Sequence, residues 1–490
     1  MKPHVLAIDQ GTSSTKALLM DASGEVVARA EVPLAQSHPG AGLVEQDADA
    51  LLNSVRTAAA DCVRDTDPRA VVGVALSTQR ESVVLWDATT GRPVAPLVSW
   101  QDQRGSERAA LLVRSGKGEE IRGRTGLPLD PMFSALKMAA LLDQHDPSRI
   151  RSRVGALRLG TVDAYLLQAL TGEPVTEIGN ASRTQLVNLT AGDWDDDLLR
   201  LFDVPRPALS RIVPSTGPFG RLRGLAPLLD GTPVLAVMGD SHAALFAHAG
   251  WRPGTVKVTY GTGSSVMVVT QDPEPTEDPL CSTIAWSMGL PAYAREANIR
   301  STGRTLTWLA GLLGTTPVEL IRLAADADAG DVTLVPAFGG IGAPWWDANA
   351  VPVLAGFDLG TGRAQLARAA LESVALQVAD VLAALPGLRH VVADGGLSRS
   401  DALLQLQADV SGITVTRTGH HELSAAGAAH LAGLHLGLWT TNELEECADS
   451  DLRIFTPAWD GAQRDTAVAR WHRRLAAARE LGTRGVPRTS

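Results

Sequence analysis

The chain runs from Val5-Leu-Ala-Ile8, four apolar residues in a row, into the polar stretch Asp9-Gln-Gly-Thr-Ser-Ser-Thr15, then into a second apolar run from Ala17 to Met20. Asp21-Ala-Ser-Gly24 forms a turn cluster, and a strand-like pattern resumes from Glu25 to Val32. Short apolar runs bounded by Gly, Ser and Asp predict three strands in a meander. Helix-period patterns follow at 48–64, 133–143 and 161–171, with strand-like runs at 70–76 and 82–87 between them. Such alternation predicts a layered α/β architecture.

The later half opens in a similar way. Thr255-Val-Lys-Val-Thr-Tyr260 reads as a strand, Gly261-Thr-Gly-Ser-Ser265 as a turn, and Val266-Met-Val-Val-Thr270 as a second strand. Two hairpins of one composition, each near the start of a half, point to a duplicated architecture. Farther on, His390-Val-Val-Ala393 leads through Asp394-Gly-Gly396 into an amphipathic helix at 400–411, and Glu422 to Leu438 reads as a long buried helix rich in Ala and Gly. The segment His248-Ala-Gly-Trp-Arg-Pro-Gly254 is loop-like, which sets the expected domains at 1–246 and 247–490. The tail from Leu481 onward is polar and expected to fray.

Composition narrows the function classes. Apolar residues make up 45% of the chain and charged residues 20%, which suits packed cores and excludes a disordered chain. Aromatics supply only 4%, so Ala, Leu and Val fill most of the interior. No window approaches 18 uninterrupted apolar residues, and the opening Met1-Lys-Pro-His4 carries no cleavable signal pattern, so no membrane partner is expected. Three distant cysteines, Cys62, Cys281 and Cys447, point to a reducing cytoplasm. A formal charge of −10 without a basic stripe argues against nucleic acid. An acidic chain can still hold an anionic nucleotide where backbone amides and a cation receive the phosphates.

Several clusters carry chemistry. In Asp9-Gln-Gly-Thr-Ser-Ser-Thr-Lys16, Gly11 permits a tight turn, while backbone N–H groups and small hydroxyls can converge on phosphate oxygens. Lys16 adds a point charge, and Asp9 at a strand end can hold Mg²⁺. An ordinary polar hairpin is the alternative. The Walker pattern is absent, because Thr15 precedes the lysine where glycine is required. Gly261-Thr-Gly263 repeats the hairpin chemistry, and two such turns across a cleft would clamp a polyphosphate and exclude water on closure. Val234-Leu-Ala-Val-Met-Gly239 ends in Asp240, where a carboxylate either accepts a hydroxyl proton or caps a helix. Arg80-Glu81 pairs a donor with an acceptor suited to a polyhydroxylated ligand, and Trp100 can lie against its carbons or fill a core. His420-His421-Glu422 is too compact for a usual metal triad and reads as a loop. Gly339-Gly-Ile-Gly342 lacks the βαβ context of a dinucleotide site.

These residues, taken in order, resemble a known family. Asp9-Gln-Gly-Thr-Ser-Ser14, Gln79-Arg-Glu81, Trp100-Gln101, Asp130-Pro131 with Phe133-Ser134, Asn180-Ala-Ser-Arg-Thr184, Gly239-Asp240, Tyr260-Gly-Thr-Gly263, Pro336-Ala-Phe338, Gly342-Ala-Pro344, Leu371-Glu-Ser373 and Asp394-Gly-Gly396 stand as in the glycerol kinase branch of the carbohydrate kinases related to hexokinase and actin. The resemblance spans nearly the whole chain. It implies an α/β fold of two ribonuclease-H-like domains around a hinged ATP cleft, with substrate mainly on the first and ATP mainly on the second. It implies phosphoryl transfer from ATP to a hydroxyl of a small polyol or sugar, with Asp240 as general base and Asp9 and Asp240 near Mg²⁺. Arg80, Glu81 and Trp100 would contact substrate. Gly11, Thr12, Ser13, Lys16, Gly261 and Thr262 would meet phosphates, and the nucleoside would lie near Gly303, Thr307, Gly395, Gly396 and Ser400. A homo-oligomer is compatible with such a protein, and so is a non-catalytic sugar or nucleotide sensor on the same fold, although the retained Asp9, Asp240 and both hairpins speak against the sensor.

Departures fall on both ligands. Lys16 stands for an arginine, and Thr307 and Ser400 for longer amide side chains. Met132 replaces a tyrosine, Ser241 a glutamine and Ser265 a phenylalanine, which predicts a wider, more polar pocket and a substrate larger than glycerol, such as a four- or five-carbon polyol or ketose.

Overall fold

The apolar run Val5–Ile8 becomes the central strand of a five-stranded sheet in the computed structural model, which describes residues 2–271, 280–347, 349–385 and 387–483. The sheet comprises β1 (His4–Gln10), β2 (Ser14–Asp21), β3 (Val26–Pro33), β4 (Val71–Thr78) and β5 (Val234–Gly239), in the spatial order β5-β4-β1-β2-β3. β1, β2 and β3 pair antiparallel as the expected meander, whereas β4 and β5 join in parallel. Both faces of β1 are covered, which explains its unbroken apolar run. Leu6 and Ile8 pack with Leu51, Val55 and Ala59 of α1 (Ala48–Cys62), a helix capped by Asp47, whose carboxylate accepts the Ala50 N–H at 2.9 Å. α2 (Ser134–His145) packs in a separate cluster with the β4-to-β5 insertion, and α3 (Asp240–Ala247) leaves the end of β5 directly.

The second sheet comprises β6 (Thr255–Tyr260), β7 (Ser264–Thr270), β8 (Cys281–Ser287), β9 (Pro291–Ile299), β10 (His390–Asp394), β11 (Thr414–Thr418) and β12 (Leu452–Phe455), in the order β8-β9-β7-β6-β10-β11-β12. Its inner five strands repeat the first sheet. β6, β7 and β9 form an antiparallel meander, and β10 and β11 add in parallel. The duplication read from two short hairpins therefore extends to five strands on each side. Around this sheet lie α4 (Gly303–Leu312), α5 (Arg363–Ala383), α6 (Asp401–Ser411), α7 (Leu423–Leu436) and α8 (Gly461–Thr483), with the polar tail beyond Thr483 outside the described residues.

The two sheets face one another across α3 and α7. Val5, Ala7, Leu18, Met20 and Ala236 of the first sheet share one core with Met267 and Ala294 of the second and with Ala425, Ala428, Ala429 and Ala432 of α7. Small residues let the two helices touch. A Cβ on Gly427 would lie 1.8 Å from the carbonyl oxygen of Ala243, so this crossing requires glycine. A helix from the later half of the sequence thus completes the core of the earlier half.

Candidate active site between the two sheets

Alternation along paired strands decides which polar side chains meet. Val5 and Ala7 face the second sheet, so Asp9 at the end of β1 lies on the same face. It pairs across the hairpin with Lys16 and across the parallel ladder with Ser77, whose hydroxyl donates to Asp9 Oδ1 at 2.8 Å. Asp240 follows β5 as the first residue of α3. Gly239 occupies the N-cap position and receives no side-chain cap, so the Asp240 carboxylate is not a cap; it accepts the N–H of Ser241 at 2.6 Å and keeps 35% of its side-chain surface exposed. Asp9, Lys16, Asp240 and Ser241 line a cavity of about 990 Å³ whose far wall comes from β6, β10, the end of β11, the 419–422 loop and the start of α7.

Two carboxylates on this wall are held back from ionising. Removal from water raises the Asp9 carboxyl to about 7, with nearby Asp240 adding to the rise and Ser77 and Lys16 opposing it. Asp240 is raised as well, again chiefly by burial, with Arg80 opposing. Two hard oxygen donors that resist ionising together suit Mg²⁺, which prefers one or two carboxylates plus water and phosphate.

Arg80 and Glu81 are buried close to Asp240, and each is held by a partner from elsewhere in the chain. Both terminal nitrogens of Arg80 donate to Glu296 of β9 at 2.8 Å, while its Nε lies 3.4 Å from Asp240 Oδ1. Arg183 donates from Nε to Glu81 at 2.6 Å, and its Nη1 lies 3.0 Å from Glu296. Burial alone would raise the Glu296 carboxyl, but Arg183 and Arg80 overcome it and hold Glu296 well below its ordinary value. Glu81 adopts φ 61°, a left-handed conformation uncommon outside glycine. The Arg183 bond and a hydrogen bond from Ser134 to the Glu81 carbonyl, at 3.0 Å, fix that conformation. His242, read as structural, is buried against Arg80 Nη1 at 3.3 Å.

Trp100 and Met132 come from the insertion between β4 and β5. Trp100 donates from Nε1 to Thr12 at 3.1 Å, which ties this insertion to the first hairpin. Met132 packs with Leu127, Phe133, Cys281 and Trp346, a cluster shared by both halves. Its loop is set by Lys137, whose buried ammonium donates to the carbonyls of Pro131, Met132 and Phe133.

The second hairpin is built by close backbone approach. Gly261 donates to Gly263 at 2.9 Å, and the start of α4 returns bonds from Gly303 to Gly261 and from Arg304 to Thr262, each at 3.0 Å. A Cβ on Gly303 would stand 2.5 Å from the Gly261 oxygen. Gly395 has φ 87°, and its Cβ would meet the Tyr260 oxygen at 2.4 Å. Gly261, Thr262, Gly303, Gly395 and Gly396 are thereby gathered. Thr307 lies one turn along α4 and donates to the Gly303 carbonyl at 3.1 Å, and Ser400 caps α6 by accepting the Leu403 N–H at 3.2 Å. Gly11, Thr12 and Ser13 form the facing hairpin tip, with Gly11 donating to Ser14 at 3.0 Å. Of these nucleotide candidates, Lys16, Gly395 and Gly396 line the cavity; the hairpin tips, Thr307 and Ser400 do not. Arg80, Glu81, Trp100, Met132 and Ser265 also lie off that wall.

Sequence reasoning missed part of the cavity. Lys257, Thr259 and Asp394 line it beside Arg399, Arg417, His420, His421 and Glu422. Alternation offered the signal for Lys257 and Thr259, because Val256, Val258 and Tyr260 occupy the core face of β6. His420-His421-Glu422 is a loop, as expected, but one that faces Asp9 and Asp240 across the cleft. Arg183 stands in the matched stretch 180–184 but was given no role, and Glu296 carried no local signal.

Residues 4–247 match the N-terminal domain of the FGGY family of carbohydrate kinases, and residues 256–436 match its C-terminal domain. An apulose kinase of Pectobacterium atrosepticum is 40% identical over 491 residues, covering 97% of this chain and 98% of that protein. A glycerol kinase of Aromatoleum aromaticum is also 40% identical, over 502 residues, covering 97% and 99%. The crystal structure of Plasmodium falciparum glycerol kinase with ADP superposes with a TM-score of 0.92 at 24% identity, covering 97% of this chain and 98% of that one. The chain belongs to the FGGY family of carbohydrate kinases, enzymes that transfer a phosphoryl group from ATP to a hydroxyl of a sugar or polyol.

Proposed function

We propose that this kinase acts on a four- or five-carbon polyol or ketose in preference to glycerol, with Asp240 as general base. The observation that carries the assignment is the Asp240 carboxylate, free of a capping role, exposed to the cleft and set beside Asp9 and Arg80. In this reading the Asp240 carboxylate takes the proton of the acceptor hydroxyl as that oxygen attacks the γ-phosphorus of ATP. The bond from γ-phosphorus to the β–γ bridging oxygen breaks, and ADP departs with the electron pair. Arg80, clamped by Glu296, keeps its Nε toward Asp240 and so favours the ionised base. Lys16 and the two glycine hairpins receive the polyphosphate, and Asp9 with Asp240 would hold Mg²⁺. Bound Mg²⁺ supplies charge neutralisation on the transferring phosphoryl group.

The larger substrate is supported by Met132, Ser241 and Ser265 and by the similarity to a relative named apulose kinase. Three free cysteines support a cytoplasmic setting. The test is ADP release with Mg-ATP and glycerol, erythritol, xylulose, ribulose or apulose. A higher kcat/KM for a four- or five-carbon compound is expected; clear preference for glycerol overturns the substrate assignment. Asp240→Asn should lower kcat by about 10²–10⁴-fold with ATP affinity nearly unchanged, and full activity in that variant overturns the base assignment.

A further inference from the structure

β9 presents a polar row to the first half of the molecule, and only its first member is spent. Ala294 of this strand and Met267 of β7 join the core between the sheets, whereas Ala297, Ile299, Val266 and Val268 point the opposite way into the second half's own core. Glu296, Asn298 and Ser265 therefore share the face that looks across the cleft. Glu296 grips Arg80 there, next to Asp240. Arg300, one residue past the strand, reaches the same direction and donates to Asp130 of the first half at 3.0 Å and to the Gly339 carbonyl at 3.1 Å. Two contacts between the halves thus flank Asn298 and its direct cross-strand partner Ser265, both half-buried. Neither side chain makes a hydrogen bond among the described residues. Asn298 stands about 7 Å along the strand from Glu296, at ~3.3 Å per residue. In the first half, Met132 follows two residues after Asp130 and brings no hydrogen-bonding hydroxyl.

We propose that Asn298 and Ser265 bind the hydroxyl or carbonyl oxygens at the end of the substrate remote from the transferred phosphate, and that the Arg300–Asp130 bridge is the outer stop that limits chain length. The inference rests on the larger-substrate reading above. An asparagine amide offers two donors and one acceptor, and a serine hydroxyl one donor and two acceptors, so the pair can bracket two neighbouring oxygens of a polyol or ketose. A site built to bond a hydroxyl discriminates strongly against an analogue that lacks it, because its own polar groups are then left unpaired.

The experiment measures kcat and KM of the wild type, Asn298→Ala, Ser265→Ala and Arg300→Ala with ATP against glycerol, the four- and five-carbon panel, and six-carbon polyols, with melting curves to confirm folding. Asn298→Ala is expected to raise KM for the best four- or five-carbon substrate about tenfold or more, leaving KM for glycerol and for ATP within about twofold, since a lost hydrogen bond to substrate is worth about that much. Ser265→Ala, the gentler change, should move the same ratio in the same direction and stands as the test if Asn298→Ala misfolds. Arg300→Ala should raise kcat/KM for six-carbon compounds relative to five-carbon ones. Equal changes for glycerol and for longer substrates, or none in either wall variant, overturn the inference while the kinase assignment stands. A wild type that clearly prefers glycerol or ignores the whole panel overturns both.

Discussion

Burial and the neighbouring Asp240 both raise the affinity of the Asp9 carboxylate for protons, and this arrangement has a cost when no cation is present. Removing one charge should relieve it. Asp9→Asn is therefore expected to melt at a higher temperature than the wild type at pH 8 in metal-free, nucleotide-free buffer, by about 2–4 °C for each kcal/mol of relief in a chain of this size, while turnover is lost. An unchanged or lower melting temperature would contradict the repulsion. Both carboxylates were legible in the sequence because each ends an apolar strand, a position that a periodic pattern marks. Their setting was not legible. Glu296 lies 216 residues from Arg80, and Arg183 lies 102 from Glu81, so only the folded chain shows that the Arg80-Glu81 pair is divided between two other partners.

At the scale of elements, strands and helices with a strong period were readable almost to their ends: the expected helix at 161–171 is Val162–Thr171, and that at 400–411 is Asp401–Ser411. The long Ala- and Gly-rich helix was readable too, as Leu423–Leu436, but not its location. Being apolar all round, it carried no face from which a partner could be inferred. Its Gly427 meets the backbone of Ala243, three residues after Asp240. Gly427→Ala must push α3 and α7 apart, an overpacking that costs about 1–3 kcal/mol. Because α3 carries Asp240 and not the nucleotide hairpins, kcat should fall by more than KM for ATP rises. A variant with wild-type melting temperature and wild-type kcat would show that the crossing tolerates a methyl group.

At the scale of the molecule, the two halves are joined by more than the strand-free segment between α3 and β6. Glu296 of the second sheet is buried between two arginines of the first half, and Arg300 meets Asp130 farther out. Breaking a buried ion pair from one side costs about 3–5 kcal/mol, far more than parting the more exposed Arg300–Asp130 bridge. The core of the first half is also unfinished without α7. Residues 1–247 produced alone should expose Val5, Ala7, Leu18, Met20 and Ala236 and aggregate, whereas co-production with 248–490 should restore soluble, active protein; a soluble, cooperatively melting 1–247 fragment would refute this. The same crossing bears on how the chain is born. On a ribosome the first sheet emerges early, yet the helix that covers it is still untranslated, and at roughly 5–20 residues per second the wait lasts on the order of ten seconds. During that interval the nascent first half is a natural client for chaperones, and synonymous codon changes that slow translation between the two halves should reduce yield without altering a single amino acid.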